Sequence, residues 1–168
     1  MSIDAVRDAL RTSGLSAALR LLNDRVPHRF TAVYQLNGEL MRNIAIVDKA
    51  GKVIADDLLT VPLALSFCQF VLRDGLFRLE GNADDRLEGH PYRGVVQSYV
   101  GVPLTLDAGL VGTFCHFDFP PMALADEEFS FMEEVAVELP PYLSRPGARS
   151  GSGTDSIRPH MRQQLPKG

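Results

Sequence analysis

Apolar residues recur at helical spacing near both ends of this 168-residue chain. Residues 3–10 predict a short helix, and residues 15–26 predict a longer one whose apolar positions follow the i, i+3, i+4, i+7 spacing of one helical face. A third helix is expected to begin at Asp126, whose carboxylate can cap the first turn, and to end before Pro140-Pro141. Each helix has one apolar face, so all three need a surface against which to bury it.

Two predicted β-hairpins supply the strands of such a surface. Residues 30–36 and 39–47 are rich in β-branched and aromatic residues and flank Asn37-Gly38, a pair that favours a tight turn because both residues tolerate positive φ. Residues 98–106 and 110–119 form a second pair around a short turn. The apolar character of this second pair is nearly continuous, which predicts central strands covered on both faces.

The middle of the chain predicts a second covering layer. Residues 62–72 predict a helix, residues 76–79 a short strand, and residues 80–90 a polar loop. Pro91 can open a further short helix through Val96, because its missing N–H does no harm in a first turn. The expected fold is therefore α+β: a central antiparallel β-sheet with the terminal helices on one face and a pocket-forming helix and loops on the other.

Charge is distributed unevenly along the chain. Residues 144–168 carry five basic residues against one aspartate, so the other 143 residues have a net charge of −8 within the total of −4. The basic segment is rich in Pro, Gly and Ser and nearly lacks large apolar residues, so we expect a disordered tail behind one folded domain, residues 1–143. An acidic body argues against nucleic acid as a partner.

Two features of the sequence predict where in the cell the protein is found. No apolar stretch is long enough to cross a bilayer, and the acidic residues near the start do not fit a secretion signal, so we expect no membrane association and a cytoplasmic protein. The only two cysteines are far apart, which fits a reducing compartment.

Three ordered motifs resemble those of the GAF family, and together they span roughly residues 15–143. They are Ser66-Phe67-Cys68 through Gly75; Glu80 through Arg86 followed by Gly89-His90-Pro91-Tyr92, with Glu80 where the family usually has Asp; and Ser98 through Leu104 followed by Gly109 through Cys115. The resemblance implies a GAF/PAS-like sheet, a pocket, and a sensory or regulatory role. Family members bind cyclic nucleotides, tetrapyrroles, haem, metabolites or anions, and many dimerise through their terminal helices.

The resemblance predicts a small-molecule-sensing regulatory domain in signal transduction, with a homodimer through the terminal helices and a possible signalling-protein partner. Its pocket is expected to be formed by Phe67, Cys68, Phe70, His90, Tyr92, Val100, Thr113 and Cys115. Two alternatives remain open at this point. One is a dimerisation or protein-interaction module with a vestigial pocket, and the other is a cysteine-based redox sensor or reductase.

Catalytic chemistry finds little support in the sequence. The phosphate-binding glycine loops, the nucleophile elbow and the HExxH zinc motif are absent, so we predict no enzyme, no cofactor and no metal. Cys68 and Cys115 are flanked by phenylalanines, which favours buried packing over redox sensing. His116 could ligate a haem iron, although an isolated strand histidine more often has a structural role. His90 and Tyr92 could edge a pocket or belong to a packed helix start, and Arg86 could attract an anion or order its own loop.

Overall fold

The computed structural model describes residues 2–81 and 84–143. Within them, five α-helices and six β-strands follow one another with three short 3-10 turns between. The helices are α1 (Ile3–Ser13), α2 (Leu15–Asp24), α3 (Asp56–Leu59), α4 (Cys68–Asp74) and α5 (Asp126–Ala136). The strands are β1 (Phe30–Asn37), β2 (Leu40–Asp48), β3 (Thr60–Pro62), β4 (Phe77–Glu80), β5 (Ser98–Leu106) and β6 (Gly109–Asp118). The predicted tail, residues 144–168, lies outside the described residues.

The strands form one antiparallel sheet in the order β3-β2-β1-β6-β5-β4. The two predicted hairpins are present, and β1 and β6 pair at the centre. Each strand therefore sends alternate side chains to opposite faces of the sheet. The α+β prediction is confirmed, with the terminal helices on one face and α4 and the loops on the other.

The first face of the sheet is covered by the two N-terminal helices and α5. Gly14, at φ 94°, separates α1 from α2 and lets the chain reverse between them. The buried residues of this layer include Val6, Leu10, Leu19, Leu22, Val33, Val102, Leu104, Phe114, Met132, Val135 and Leu139. Full burial of one such side chain contributes about 1.5–3 kcal/mol, so this layer is a main source of stability.

An ion pair connects α5 to the end of α2. Nε and Nη2 of Arg25 donate to the two carboxylate oxygens of Glu128 at 2.9 and 2.8 Å. The guanidinium also lies 3.9 Å from the ring centre of Phe131. Because this planar fork is partly buried and stacked, it fixes the position of α5 better than an exposed pair would.

Several predicted boundaries were wrong. The helix expected over residues 62–72 begins only at Cys68, and the preceding residues form β3 and a 3-10 turn. The helix expected from Pro91 to Val96 is a series of turns, with Gly94 at φ 78°. Asp126 is the first residue of α5 and provides no side-chain cap.

The turn of the first hairpin is shifted by one residue from the prediction. Asn37 pairs with Leu40, so Gly38 and Glu39 occupy the turn, and Gly38 has φ 62°. In the second hairpin Asp107 and Ala108 both have positive φ. Among the described residues, no helix is long and apolar enough to cross a membrane.

Candidate functional site

A cavity of about 60 Å³ lies between the second face of the sheet and the segments that cover it. The sheet, including its edge strand β3, forms the floor, the start of α4 forms one wall, and α3 and the turns after Pro91 cover it. The lining residues are Tyr34, Met41, Leu58, Val61, Ser66, Phe67, Cys68, Tyr92, Val96, Tyr99, Cys115 and Phe117. Apolar and aromatic groups therefore dominate the surface that a ligand would meet.

Strand alternation places the floor residues. Cys115 and Phe117 on β6 lie two positions apart and so share a face, and Tyr34 on β1 shares it through the register between the two strands. Tyr99 on β5 pairs with Phe117 and lies beside it, with ring centres 6.3 Å apart. Phe67, just before α4, meets the ring of Tyr99 edge-on at 5.3 Å. Interlocked rings give the cavity a rigid wall.

Several polar atoms of the lining have partners within the protein. The Tyr34 hydroxyl donates to the carbonyl of Leu58 at 2.7 Å, which ties the floor to the covering helix α3. The Ser66 hydroxyl donates to the carbonyl of Leu63 at 2.8 Å. The Cys115 thiol is directed toward the carbonyl of Ala32, with Sγ and O 3.7 Å apart.

The second thiol belongs to a small hydrogen-bonded group. Sγ of Cys68 lies 3.3 Å from Oγ1 of Thr113 and 3.7 Å from the hydroxyl of Tyr99. Burial raises the pKa of Cys68 and raises that of Cys115 well above its usual range, and the proximity of Cys68 adds to the rise for Cys115. Burial likewise raises the pKa of Tyr34 and Tyr99. All four groups are therefore uncharged at neutral pH.

Four of the eight predicted pocket residues line the cavity: Phe67, Cys68, Tyr92 and Cys115. Thr113 lies behind Cys68 and contacts it through the thiol. Phe70 is buried beside the wall and packs on Phe77 with ring centres 4.9 Å apart. These two residues therefore support the wall without forming its surface.

Val100 was predicted on the cavity side, and that placement was wrong. It pairs with His116 across β5 and β6 and is buried in the layer beneath the terminal helices. Its neighbour Tyr99 faces the cavity instead. Because side chains alternate along a strand, an error of one position moves a residue to the opposite layer.

His90 lies at the edge of the aromatic wall. Its ring centre is 4.8 Å from that of Phe67 and 5.9 Å from that of Tyr92, whose backbone N–H donates to Nδ1 at 3.1 Å. Burial lowers the pKa of His90, and the backbone of Ser66 partly offsets this effect. A neutral His90 thus orders the turn that carries Tyr92.

Arg86 belongs to its own loop. The guanidinium donates to Asp84 at 3.0 and 2.7 Å and to Asp74 at 3.0 Å. It also lies 4.5 Å from the ring centre of Phe77. These partners hold the loop after β4 against α4, and they agree with the local ordering role predicted for this arginine.

The lining residues that the sequence did not reveal come mostly from β1 to β3 and from the segment before β5. They are Tyr34, Met41, Leu58, Val61, Ser66, Val96, Tyr99 and Phe117. The alternation within β1 and β6 could have identified Tyr34 and Phe117 once Cys115 was placed on that face. Leu58 and Val61 carry no such signal, because α3 and β3 are too short to show a period.

A second polar group lies on the opposite face of the sheet, under the end of α2. The Asn23 side chain donates to Oγ1 of Thr31 at 2.8 Å, and Oγ1 lies 2.6 Å from Nδ1 of His116. His28 has its ring centre 6.1 Å from that of His116. His116 is thus buried away from the cavity, so this placement argues against the haem-ligand alternative.

The two histidines are held neutral. Burial lowers the pKa of His28 to about 4 and that of His116 well below its usual range, and the ammonium of Lys49 contributes to both shifts. Lys49 donates to the carbonyls of Asn23, Val26 and His28 at 2.6, 2.9 and 2.7 Å. Nδ1 of His28 has no hydrogen-bond partner among the described residues. A positive charge on either ring would be poorly accommodated here.

A bound metal ion would need a cluster of metal-binding side chains. Within residues 2–81 and 84–143, no three His, Cys, Asp or Glu side chains come together in a way that could hold a metal ion. Cys68 and Cys115 are both unpaired thiols.

No protein-family model matches the chain, and no curated protein matches it. The chain does match solved structures, and these have the same fold. The GAF domain of an Acinetobacter phosphoenolpyruvate-protein phosphotransferase is 17% identical, with a TM-score of 0.64 over 83% of this chain and 92% of that chain. The phycocyanobilin-bound GAF domain of a cyanobacterial phytochrome is 12% identical, with a TM-score of 0.62 over 83% and 92%.

A third solved structure is an enzyme. The free methionine-R-sulfoxide reductase of Neisseria meningitidis, in complex with its substrate, is 12% identical, with a TM-score of 0.61 over 80% of this chain and 81% of that chain. Sequence identities of 12–17% show that the fold is shared, and they show nothing more. The protein therefore has the GAF fold, which serves regulatory domains and also a reductase.

Proposed function

We propose that this protein is a sensory or regulatory GAF domain that binds a small molecule in the cavity between the sheet and α4. The observation that carries the proposal is the cavity itself, covered by α3 and the turns around Tyr92. Short elements of this kind can open locally at a lower free-energy cost than the sheet beneath them.

Two of the structural neighbours support a small-molecule role. One is described with bound phycocyanobilin and another with its substrate. Both share the sheet and helix arrangement of this chain. A fold that accommodates such different molecules does not select the ligand, so the ligand class must be argued from the residues of this cavity.

The mechanism that we propose is a population shift. The hydrogen bond from Tyr34 to the carbonyl of Leu58 closes the covering over the floor. A ligand that contacts Leu58 and Tyr92 as well as the floor binds the closed form more tightly than an open one. It therefore stabilises the covering and the adjacent α4, and a partner protein can read that change.

Thermal unfolding in the presence of a panel of small metabolites tests the proposal. A compound present at 100 times its Kd is expected to raise the Tm by about 5–10 °C, from the linkage between binding and stability. The Val61→Phe variant, which fills the cavity from β3, should lose this rise. A panel without any stabilising compound, or a rise that persists in Val61→Phe, would contradict the proposal.

The reductase alternative has weaker support. A catalytic thiol needs access to solvent and an accessible thiolate, whereas Cys68 and Cys115 are 5% and 0% exposed and have raised pKa values. We therefore propose a regulatory role over a reductase role. Retention of the ligand-induced Tm rise in Cys68→Ser and Cys115→Ser would agree with this assignment, and reduction of free methionine sulfoxide by the wild type would overturn it.

We also propose that the regulatory form is a homodimer formed through the terminal helices. The apolar faces of α1 and α2 are already buried within the chain, so the proposal depends on Val137, which follows α5 and is 77% exposed. Light scattering after size-exclusion chromatography should show a dimer that Val137→Glu dissociates. Val53→Glu, at a site that is 97% exposed and remote in sequence from these helices, is the control and should leave the dimer intact.

A further inference from the structure

The cavity wall carries no ionised side chain. Five of the twelve lining residues are aromatic and uncharged at neutral pH: Tyr34, Phe67, Tyr92, Tyr99 and Phe117. The remainder are aliphatic residues, a methionine, a serine and two buried thiols. A charged ligand in this cavity would thus lose its hydration without gaining an opposite charge, which is strongly unfavourable.

Five of the six polar side chains in the wall already interact with other groups of the protein, and the sixth is Tyr92. The hydroxyls of Tyr34 and Ser66 donate to the carbonyls of Leu58 and Leu63. The thiol of Cys68 lies among Thr113 and Tyr99. A ligand that needs more hydrogen bonds than the Tyr92 hydroxyl can make would have to break these internal ones, so the wall suits a molecule that forms few hydrogen bonds.

A negative charge acts on two of the tyrosines that line the cavity. Asp57 lies in the first turn of α3, is exposed, and contributes to the raised pKa of both Tyr34 and Tyr92. It follows Asp56 in the same turn. The carboxylate of Asp57 therefore disfavours an anion near these two hydroxyls, whereas a cation is disfavoured only by the loss of hydration against the uncharged wall.

Size restricts the ligand further. A cavity of about 60 Å³ has room for roughly four to six water-sized groups, at about 10–15 Å³ for each. Met41 lies in the lining and has three rotatable bonds, so a slightly larger apolar ligand can be accommodated by a change of its rotamer.

We propose that the cavity selects an uncharged, largely apolar molecule of roughly six non-hydrogen atoms, and rejects anions and cations of the same size. The inference rests on the proposed function, because it names the ligand class of that same cavity. It excludes nucleotides, amino acids and carboxylate metabolites as ligands of the closed form.

Three probes of matched size and different charge test the selection: benzene, isobutyrate and cyclopentylammonium. Each is titrated into the full chain at neutral pH while the backbone amide signals are followed by NMR. Benzene should shift the signals of β1, β6 and the start of α4 in a saturable way. The two ions should bind at least tenfold more weakly.

Matched variants locate the response. Val61→Phe should abolish the benzene-induced shifts, and Val53→Phe, the same substitution at an exposed position, should bind benzene as the wild type does. If Val61→Phe does not fold, Val96→Leu serves the same purpose from the turns before β5. Benzene shifts that persist in a folded cavity variant would place the binding elsewhere and overturn the inference.

The outcomes separate the two proposals. If isobutyrate or cyclopentylammonium binds as tightly as benzene in a manner that Val61→Phe removes, the cavity is a sensor site but the charge selection is wrong. If none of the probes binds and the metabolite panel also fails, both proposals fall. If the metabolite panel yields a stabilising compound that carries a net charge, the function stands and this inference does not.

Discussion

Acidification should destabilise the protein well above the pH at which its carboxylates titrate, because of the buried pair His28 and His116. In the folded state, burial lowers the pKa of His28 to about 4, whereas an unfolded histidine titrates near 6.5. The unfolded chain therefore binds more protons between these two values. It follows that stability is complete above pH 6.5 and is lost as the pH falls toward 4.

The magnitude follows from the same two values. Between pH 7.5 and pH 5.0, His28 should reduce the free energy of unfolding by about 2 kcal/mol. His116 adds to this loss because its pKa is also lowered by burial. The paired carboxylate of Asp74, whose pKa is lowered to about 2 by Arg73 and Arg86, contributes its loss only below about pH 4, so the two processes occur in separate ranges.

Urea unfolding at pH 7.5 and pH 5.0 measures the effect, with His28→Leu as the test variant. Because Nδ1 of His28 has no partner among the described residues, this change should alter stability at pH 7.5 by less than about 1 kcal/mol. The loss between the two pH values should then be smaller by about 2 kcal/mol than in the wild type. An equal loss in both proteins would refute the assignment to His28.

Two further predictions concern a close contact between the central strands and the two buried thiols. Gly112→Ala should destabilise by at least about 3 kcal/mol, because its Cβ would lie 2.1 Å from the carbonyl oxygen of Tyr34 and force β1 and β6 apart. Gly109→Ala is the control, since its nearest contact is 3.5 Å away, and similar urea midpoints for the two variants would contradict the reasoning. The thiols of Cys68 and Cys115 should react with an aromatic disulfide reagent far more slowly in the native than in the urea-unfolded chain; rapid native reaction would disprove their burial.

Much of the fold could be predicted because long amphipathic elements and hairpin turns are local signals. The helices at both ends and the four long strands all have them. The error at residues 62–72 arose because a continuous apolar run fits a helix or a strand equally well. Pro62 lies at the end of β3 and not inside a helix. It is tolerated there because β3 is an edge strand and does not need every N–H for pairing.

The covering helix α3 and the edge strand β3 of the floor could not be predicted in the same way. The four-residue helix α3 and the three-residue strand β3 are held by tertiary contacts, such as the hydrogen bond from Tyr34 to Leu58, and not by any local pattern. The volume of the cavity depends on how these short elements pack against the rest of the sheet. The sequence could therefore indicate aromatic wall residues but not which of them a ligand would touch.

The misplacement of Val100 has a definite structural cause. Counted from the turn without interruption, β5 and β6 would pair Val100 with Cys115 and put both on the cavity side. The observed register shifts between Leu104 and Thr105, where Val111 is the extra residue of a β-bulge, so Val100 pairs with His116. That shift brings Tyr99 to the cavity, where its hydroxyl lies beside the Cys68 thiol. Because of the bulge, Tyr99 and not Val100 lies in the cavity wall. The hydroxyl of Tyr99 already interacts with the Cys68 thiol, so the wall still suits an uncharged, apolar ligand.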